Sequence, residues 1–274
     1  MNRPEAHGNG AAPPPAARGE AAGLAAVNLS VRAGARELVR ELSLRFVPGE
    51  VLAILGRNGS GKTLTLHTLA GLRASAAGSV SLDGAALPAL KRRAIALRLG
   101  LLPQDLEDAF VTTAMEMVLI GRHPHLALWQ WETAADEEIA RAVLAAVDMS
   151  DFASRRTDTL SGGEQRRVAV AALLAQQPDI FLLDEPTNHL DPHYQLAVLR
   201  LFRTLADSGR TVVTTLHDPT LAARFADRVL LLHGDGRWTA GPTSTTLTAT
   251  SLSELYIAPM MELTKDGRRV FVNA

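Results

Sequence analysis

The stretch Gly56-Arg57-Asn58-Gly59-Ser60-Gly61-Lys62-Thr63 decides how this chain folds. It follows an apolar run at 51–55 and precedes a segment, 64–72, that we predict to be helical. This spacing is typical of a loop whose backbone N–H groups turn inward around phosphate, with Lys62 adding a positive charge and the Thr63 hydroxyl ligating Mg²⁺. A plain glycine-rich turn is the alternative, but the strand-loop-helix context favours phosphate binding.

The composition excludes several classes of protein. The 274 residues include 28 basic and 29 acidic side chains, a formal net charge of -1, so bulk charge gives no reason to expect a nucleic-acid partner. The absence of cysteine excludes disulfides, iron–sulfur clusters and thiolate zinc sites within this chain, which suits a reducing compartment. No apolar run approaches the roughly 20 residues of a membrane span, so we expect the chain to be soluble by itself.

The N-terminal segment differs from the rest in composition. Residues 1–23 are rich in Ala, Gly and Pro and lack the basic start and apolar block of a secretory signal. Because such a segment has little apolar surface to bury, we predict a disordered tail, more plausibly an incidental extension than a docking peptide. The folded domain is predicted to span 24–274.

Apolar runs and turn residues predict the remaining elements. Strands are expected at 24–31, 38–46, 51–55, 78–82, 97–102, 180–183, 211–216, 228–232 and 269–272. Apolar residues at helical spacing predict helices at 112–120 and 136–147, and hence a helical insertion at about 111–160. A short helix is expected at 251–256, and Gly234-Asp235-Gly236 indicates a hairpin turn.

The segment between the inserted helices contains two unusual clusters. His123 and His125 invite a metal interpretation, but the adjacent Pro124 and the lack of a nearby carboxylate or Cys ligand argue against it. Two of the three tryptophans, Trp129 and Trp131, follow closely and fit a partner contact better.

The sequence Leu160-Ser161-Gly162-Gly163-Glu164-Gln165 begins a helix that we expect to end near Gln176. Ser161 with Glu164 three residues later forms a capping box, which is a sufficient structural explanation for those two residues. It leaves the two glycines unexplained, because glycine weakens a helix but lets a ligand approach the N–H groups of its positive end. We therefore predict a second anion-binding element.

Two carboxylates follow the apolar strand at 180–183, Asp184 and Glu185. Fully apolar strands belong in parallel sheets, where functional residues collect at the carboxyl ends. Asp184 is then placed to hold Mg²⁺ through water, and Glu185 to orient or deprotonate an attacking water. A surface pair at a strand end is the alternative.

A histidine, His217, ends the strand predicted at 211–216. A single histidine at a strand end is more often structural. Here, however, the strand is expected beside that of Asp184, so the imidazole could reach the same phosphate.

Together these motifs resemble the nucleotide-binding subunit of ABC transporters over roughly residues 24–274. The corresponding family motifs are the Walker A loop at 56–63, the Q-loop glutamine Gln104, the signature at 160–165 in its LSGGE form, Walker B at 180–185, the D-loop at 188–191 and the switch histidine His217. The resemblance implies an α/β fold: a P-loop NTPase core with a RecA-like, mainly parallel sheet, an N-terminal antiparallel β-subdomain and an inserted helical subdomain.

The resemblance also implies the cofactors, ATP and Mg²⁺, and the roles of individual residues. Glu185, His217 and Gln104 would be catalytic, and Thr63, Gln104 and Asp184 would handle the metal. The nucleotide contacts would be Gly56, Arg57, Asn58, Gly59, Ser60, Gly61, Lys62, Thr63, Ser161, Gly162, Gly163, Glu164 and Asp191. The signature of one subunit would close over the γ-phosphate on the loop of a second, so a two-fold homodimer would bury two ATP.

Within the family, the run Gly121-Arg122-His123-Pro124-His125, the LSGGE variant and Leu216-His217-Asp218-Pro219 resemble importers of ferric siderophores, haem and cobalamin. This implies a peripheral ATPase on the cytoplasmic face of the inner membrane. Its partners would be transmembrane permease subunits and, indirectly, a substrate-binding protein, with no nucleic acid. An exporter ATPase or a non-transport ABC ATPase of the repair or translation type remains the alternative.

Two positions depart from the family pattern. Ala33 stands where the family usually places an aromatic residue that stacks on adenine, and Leu64 replaces a second hydroxyl after Thr63. We expect weak base selectivity, or stacking by Arg32 or Arg36 instead, and the loss of one contact to the α-phosphate.

Overall fold

The computed structural model describes residues 23–105, 112–127 and 129–274. The strands are β1 (Leu24–Ala33), β2 (Arg36–Arg45), β3 (Val51–Leu55), β4 (Ala77–Leu82), β5 (Ala85–Ala86), β6 (Leu99–Leu102), β7 (Ile180–Leu183), β8 (Thr211–Thr215), β9 (Arg228–Leu232), β10 (Trp238–Pro242), β11 (Met260–Lys265) and β12 (Arg268–Asn273). The helices are α1 (Lys62–Leu69), α2 (Arg92–Ala96), α3 (Ala114–Ile120), α4 (Ala134–Ala146), α5 (Gly162–Ala175), α6 (Pro192–Asp207), α7 (Pro219–Phe225), α8 (Thr243–Thr246) and α9 (Ala249–Tyr256).

A six-stranded sheet with the order β10-β9-β3-β8-β7-β6 forms the centre of the molecule. Neighbours from β9 to β6 are parallel, whereas β10 pairs with β9 antiparallel through the predicted hairpin. Every residue of β3, β7 and β8 is buried, as expected for parallel strands covered on both faces. The carboxyl ends of β3, β7 and β8 therefore lie at one edge, where the loop and the two carboxylates follow.

An antiparallel sheet with the order β2-β1-β4-β5 shares an apolar core with α1 and the main sheet. Two hydrogen bonds join this sheet to the segment around β10. The indole N–H of Trp238 donates to the backbone carbonyl of Arg40 at 2.9 Å, and the backbone N–H of Arg40 donates to Gly236 O at 3.0 Å. The predicted α/β class with an antiparallel N-terminal sheet and a mainly parallel core sheet is confirmed.

Helices α3, α4 and α5 pack together around an apolar cluster that reaches the opposite side of the main sheet. Each begins at a capping box, formed by Thr113, Thr133 and Ser161 respectively. These local signals explain why α3 begins at Ala114 rather than at the predicted residue 112, since Thr113 is its N-cap.

The segment that follows α3 holds the C-terminal end of α5. A Cβ at Gly121 would lie 2.1 Å from Ala172 O, so glycine is required for this close approach. Arg122 is buried and donates to Ala175 O at 2.8 Å, and His125 Nε2 lies 2.8 Å from Gln176 O. Since a carbonyl oxygen can only accept, His125 donates here, and both side chains satisfy carbonyls at the helix end.

All nine predicted strands are confirmed, with differences of at most two residues at their ends. The strand expected at 97–102 begins only at Leu99, because Leu97 caps α2. The predicted strand near the C-terminus is β12, and its partner β11 was missed. The predicted tail over 1–23 falls, except for Gly23, outside the described residues. Among the described residues, no helix is long and apolar enough to cross a bilayer.

Candidate active site

The phosphate-binding loop lies between β3 and α1, as predicted. Gly61 is the N-cap of α1 and has φ 100°, a left-handed conformation that glycine adopts without strain. A Cβ at Gly56 would lie 2.4 Å from Ser60 Oγ and 2.6 Å from Leu232 O, so the loop can leave the strand only with glycine there. The unpaired N–H groups at the start of α1 make this end a favourable place for an anion.

Lys62, the first residue of α1, is buried with 5% of its surface exposed. Its Nζ donates to Gly56 O at 3.0 Å and to Arg57 O at 3.5 Å, so the loop holds the ammonium by its own carbonyls. Burial lowers the pKa of Lys62, and the nearby carboxylates of Glu185 and Asp184 oppose that shift. The ammonium therefore lies within the field of both carboxylates.

The carboxylate of Asp184 is completely buried at the end of β7. Its Oδ1 accepts a hydrogen bond from Thr215 Oγ1 at 2.7 Å, while its Oδ2 is buried and lacks a hydrogen-bond partner among the described residues. A buried, unpaired carboxylate oxygen is costly unless it faces a ligand. Nearby, the Thr63 hydroxyl donates to Gln104 Oε1 at 3.4 Å. These oxygens are the donor set that Mg²⁺ prefers, so the residues present fit the metal.

Glu185 is buried next to Asp184, with its carboxylate bound at both oxygens. His217 Nε2 contacts one oxygen, and the Asn188 side-chain amide donates to the other. The imidazole of His217 itself is about half exposed. The adjacency predicted for β7 and β8 is confirmed, and it is the reason that a residue after one strand reaches a residue after the other.

One cavity of about 420 Å³ brings most of these side chains together. It is lined by Ala33, Leu38, Asn58, Gly59, Gly61, Lys62, Thr63, Leu64, Gln104, Glu185 and His217. The loop, the glutamine, one carboxylate and the histidine thus surround a single space, with Asp184 buried beside it. The cavity has room for the phosphates of a nucleotide.

A second cavity of about 530 Å³ lies at the beginning of α5. It is lined by Ser161, Gly162, Gly163, Glu164, Arg167, His189, Leu190, Asp191 and Tyr194. Of the residues that the structure describes, none lines both this cavity and the 420 Å³ cavity. Ser161 and Glu164 form the predicted capping box, and Asp191 caps α6 by accepting from the Tyr194 N–H at 3.1 Å. Within one chain, the signature residues and the phosphate-binding loop therefore serve different spaces.

Sequence reasoning missed a buried cation between these regions, Arg166. Its guanidinium donates to Pro103 O at 2.5 Å, to Asp184 O at 2.6 Å and to Glu185 O at 2.8 Å. Desolvation lowers its pKa to about 10, despite the opposing charges of Asp184 and Glu185. Arg166 thus connects α5 to the chain after β6 and to both carboxylate residues. An arginine on the buried face of a helix was the available signal.

Among the described residues, no Phe, Tyr or Trp lines the first cavity. Ala33 ends β1 and pairs with Arg36. The Arg36 guanidinium donates to Gly234 O at 3.1 and 2.7 Å, and Arg32 contacts Glu37 at 3.4 Å, so both candidate stacking arginines already have partners. Trp129 and Trp131 are 92% and 84% exposed, and a partner contact for them stays a prediction.

The fold and the site together define a P-loop nucleoside triphosphatase. Comparison with known proteins narrows this class: residues 39–188 match the ABC transporter family. The chain belongs to the ABC transporter family and is an ATPase of that family.

Individual relatives agree with this assignment. The chain is 43% identical, over 221 residues, to the hemin import ATP-binding protein HmuV of Gloeobacter violaceus, covering 78% of this chain and 79% of the relative. A solved metal-chelate type ABC transporter in an inward-facing conformation superimposes with a TM-score of 0.80 at 28% identity, covering 92% of this chain and 97% of that one. The dimeric ATP-binding cassette MJ0796 bound to ADP and Pi superimposes with a TM-score of 0.70 at 27% identity, covering 80% and 98% respectively.

Proposed function

We propose that this chain is the ATP-hydrolysing subunit of an importer for an iron chelate, with haem as the first candidate and siderophores and cobalamin as alternatives. The single observation that carries the mechanism is the separation of the two cavities. Within one chain, the signature residues line a different cavity from the phosphate-binding loop. The signature would therefore contact a nucleotide only when that nucleotide is bound to the loop of a second chain. In this proposal the ATPase domain spans residues 24–274, with a helical subdomain inserted at about 111–160.

In this proposal the loop and Lys62 neutralise the β- and γ-phosphates, while Thr63, Gln104 and Asp184 hold Mg²⁺. The bound metal supplies charge neutralisation at the phosphate oxygens. Glu185 orients and polarises the attacking water, and His217 holds the γ-phosphate. Positioning and electrostatics of this kind account for most catalysis of phosphoryl transfer.

A two-fold homodimer would place the Ser161-Gly162-Gly163 tip of each copy over the nucleotide held by the other. The glycine at the tip, Gly162, is exposed, and among the described residues only a His189 carbon lies within 4 Å of its Cβ position, at 3.9 Å. A partner could therefore approach it closely. The dimeric state of the related MJ0796 cassette supports this arrangement. By symmetry, the single dimer interface would bury two MgATP.

The relatives include import ATP-binding proteins, and in our proposal this chain likewise drives a separate membrane permease. The proposed location is therefore the cytoplasmic face of the inner membrane, in contact with permease subunits that work with a substrate-binding protein. The cargo proposal rests on the names of the relatives, which are a hemin importer and a metal-chelate transporter.

The test is growth of a strain that lacks this gene on haem, a ferric siderophore or inorganic iron as the sole iron source, with a cobalamin-dependent medium in parallel. We expect loss of growth on one chelate, rescue by the wild-type chain and no rescue by Glu185→Gln. Normal growth on every chelate would contradict import. Co-purification of the tagged chain with a multispanning membrane protein separates a transporter from a soluble ABC ATPase.

A further inference from the structure

The hydroxyl of Thr215 joins the two carboxylate residues of the site. Thr215 is the last residue of β8 and is completely buried. Its Oγ1 donates to Asp184 Oδ1 at 2.7 Å and accepts from the Glu185 backbone N–H at 2.8 Å. A threonine hydroxyl has one proton to donate, and here the carboxylate oxygen accepts it while the amide proton approaches a lone pair of the hydroxyl. Both bonds are therefore compatible at the same time.

The first of these bonds determines which oxygen of Asp184 remains available. Oδ1 is occupied by Thr215, and Oδ2 is the buried oxygen without a hydrogen-bond partner among the described residues. If the hydroxyl were absent, the carboxylate could rotate about its last torsion and present either oxygen. Outer hydrogen bonds of this kind orient ligands and raise metal affinity.

The second bond supports an unusual backbone at Glu185. This residue has φ 47°, in the left-handed region that residues other than glycine rarely adopt. Its N–H is held by Thr215, and its carbonyl accepts from Arg166 at 2.8 Å. With this conformation Glu185 lines the phosphate cavity, whereas the adjacent Asp184 is completely buried and is not part of the lining.

We propose that Thr215 is a positioning residue for ATP hydrolysis, whose hydroxyl keeps Asp184 Oδ2 free for the metal and keeps Glu185 facing the cavity. The inference rests on the proposed metal role of Asp184. Thr215 is not among the residues that line the phosphate cavity, and it acts through these two neighbours.

The neighbouring residue Thr214 provides a matched control. It lies on the same strand, is 2% exposed, and its hydroxyl contacts only the carbonyl of Thr215, at 3.3 Å, among the described residues. Thr215→Val and Thr214→Val therefore make the same chemical change at nearly the same burial. Thr215→Ser keeps the hydroxyl, and Thr215→Ala removes it together with a methyl group.

The experiment compares these four variants and Asp184→Asn in the full-length chain. The measurements are kcat and KM for ATP, Mn²⁺ affinity in the presence of ATP by electron paramagnetic resonance, and thermal unfolding. We expect Thr215→Val to lower kcat and Mn²⁺ affinity by about 10- to 100-fold, with KM changed less than about threefold. Thr215→Ser and Thr214→Val should stay within about threefold of the wild type.

The outcomes of these measurements separate a positioning role of Thr215 from a merely structural one. If Thr215→Val keeps Mn²⁺ affinity and kcat, or if Thr215→Ser fails to restore them, the inference is overturned. If Thr215→Val does not fold, Thr215→Ser must still exceed Thr215→Ala in Mn²⁺ affinity by about tenfold, or the inference is wrong. An Asp184→Asn chain that keeps Mn²⁺ affinity would overturn the proposed metal site, whereas loss there with none in Thr215→Val would overturn only the role of Thr215.

Discussion

The imidazole of His217 contacts the carboxylate of Glu185 directly, across two neighbouring parallel strands. The second carboxylate oxygen accepts from the Asn188 amide, so both acceptor atoms of the proposed base have partners. For Glu185 to act on a water, at least one of these contacts has to be exchanged for the substrate. The histidine and the glutamate therefore form one functional unit, which the first two predictions address.

Glu185→Gln should abolish turnover and leave ATP binding intact. The amide keeps the size of the side chain but cannot accept a proton, so we expect kcat to fall by at least about 100-fold. Phosphate release measures turnover, and a fluorescent ATP analogue measures binding, which should change less than about threefold if only the chemical step is affected. Normal hydrolysis by this variant would contradict the assignment of Glu185 as the group that polarises the attacking water.

His217→Ala should lower kcat by on the order of 100-fold, because the donor that we propose for the γ-phosphate is lost. Binding of the ATP analogue should persist, since the loop and Lys62 remain. The exposed His193, which packs on the Tyr194 ring, serves as the control, and His193→Ala should hydrolyse ATP normally. Equal rates in both variants would show that His217 is structural.

Gly162→Arg should prevent dimer formation without unfolding the chain. Among the described residues, a Cβ at this position meets only a His189 carbon, at 3.9 Å, so the side chain fits one copy but would obstruct a second. In a Glu185→Gln background, MgATP should convert the parent chain to dimers in sedimentation velocity and leave the arginine variant monomeric. The control is Glu138→Arg on the exposed face of α4. A fully formed dimer with Gly162→Arg would contradict the sandwich.

Ala33→Tyr should strengthen ATP binding by about 1–3 kcal/mol, by analogy with base stacking on aromatic side chains. The wild-type chain should discriminate weakly between ATP and GTP, because no Phe, Tyr or Trp among the described residues lines the phosphate cavity. Competition binding with both nucleotides measures the effect. A strong preference for ATP that survives Arg32→Ala and Arg36→Ala would contradict both weak selectivity and stacking by arginine.

Asp136→Asn should destabilise the helical region at neutral pH. Thr133 donates to the Asp136 carboxylate, with a further contribution from Arg122, and these bonds lower its pKa from 3.8 to about 2. A carboxyl group whose pKa is lower in the folded than in the unfolded chain adds to the free energy of unfolding at pH values above its unfolded pKa. This contribution, up to about 2 kcal/mol, is lost as the pH falls toward the folded pKa. The stability difference between wild type and variant in urea should be constant from pH 7 to 5 and shrink below about pH 4. A difference that stays constant to pH 3 would contradict this.

Several features follow from the sequence alone, because each depends on residues close together in the chain. The spacing from Gly56 to Thr63 requires a sharp turn between a strand and a helix, and Gly61 has the left-handed φ that this turn needs. The capping box of Ser161 and Glu164 spans three residues and forms as predicted. The hairpin at 234–236 is equally local. In each case the backbone geometry is determined by residue types within one turn.

The tertiary structure decided which distant side chains meet. Thr215 and Asp184 are 31 residues apart, and only the parallel register of β7 and β8 places hydroxyl and carboxylate within 2.7 Å. Arg166 reaches the carbonyls of Asp184 and Glu185 because α5 packs across the end of the sheet. The tertiary structure also places the signature tip and the phosphate-binding loop of one chain at different cavities. A hydroxyl or a guanidinium can bond to many acceptors, so its partner is selected by strand register and helix packing and not by its own identity.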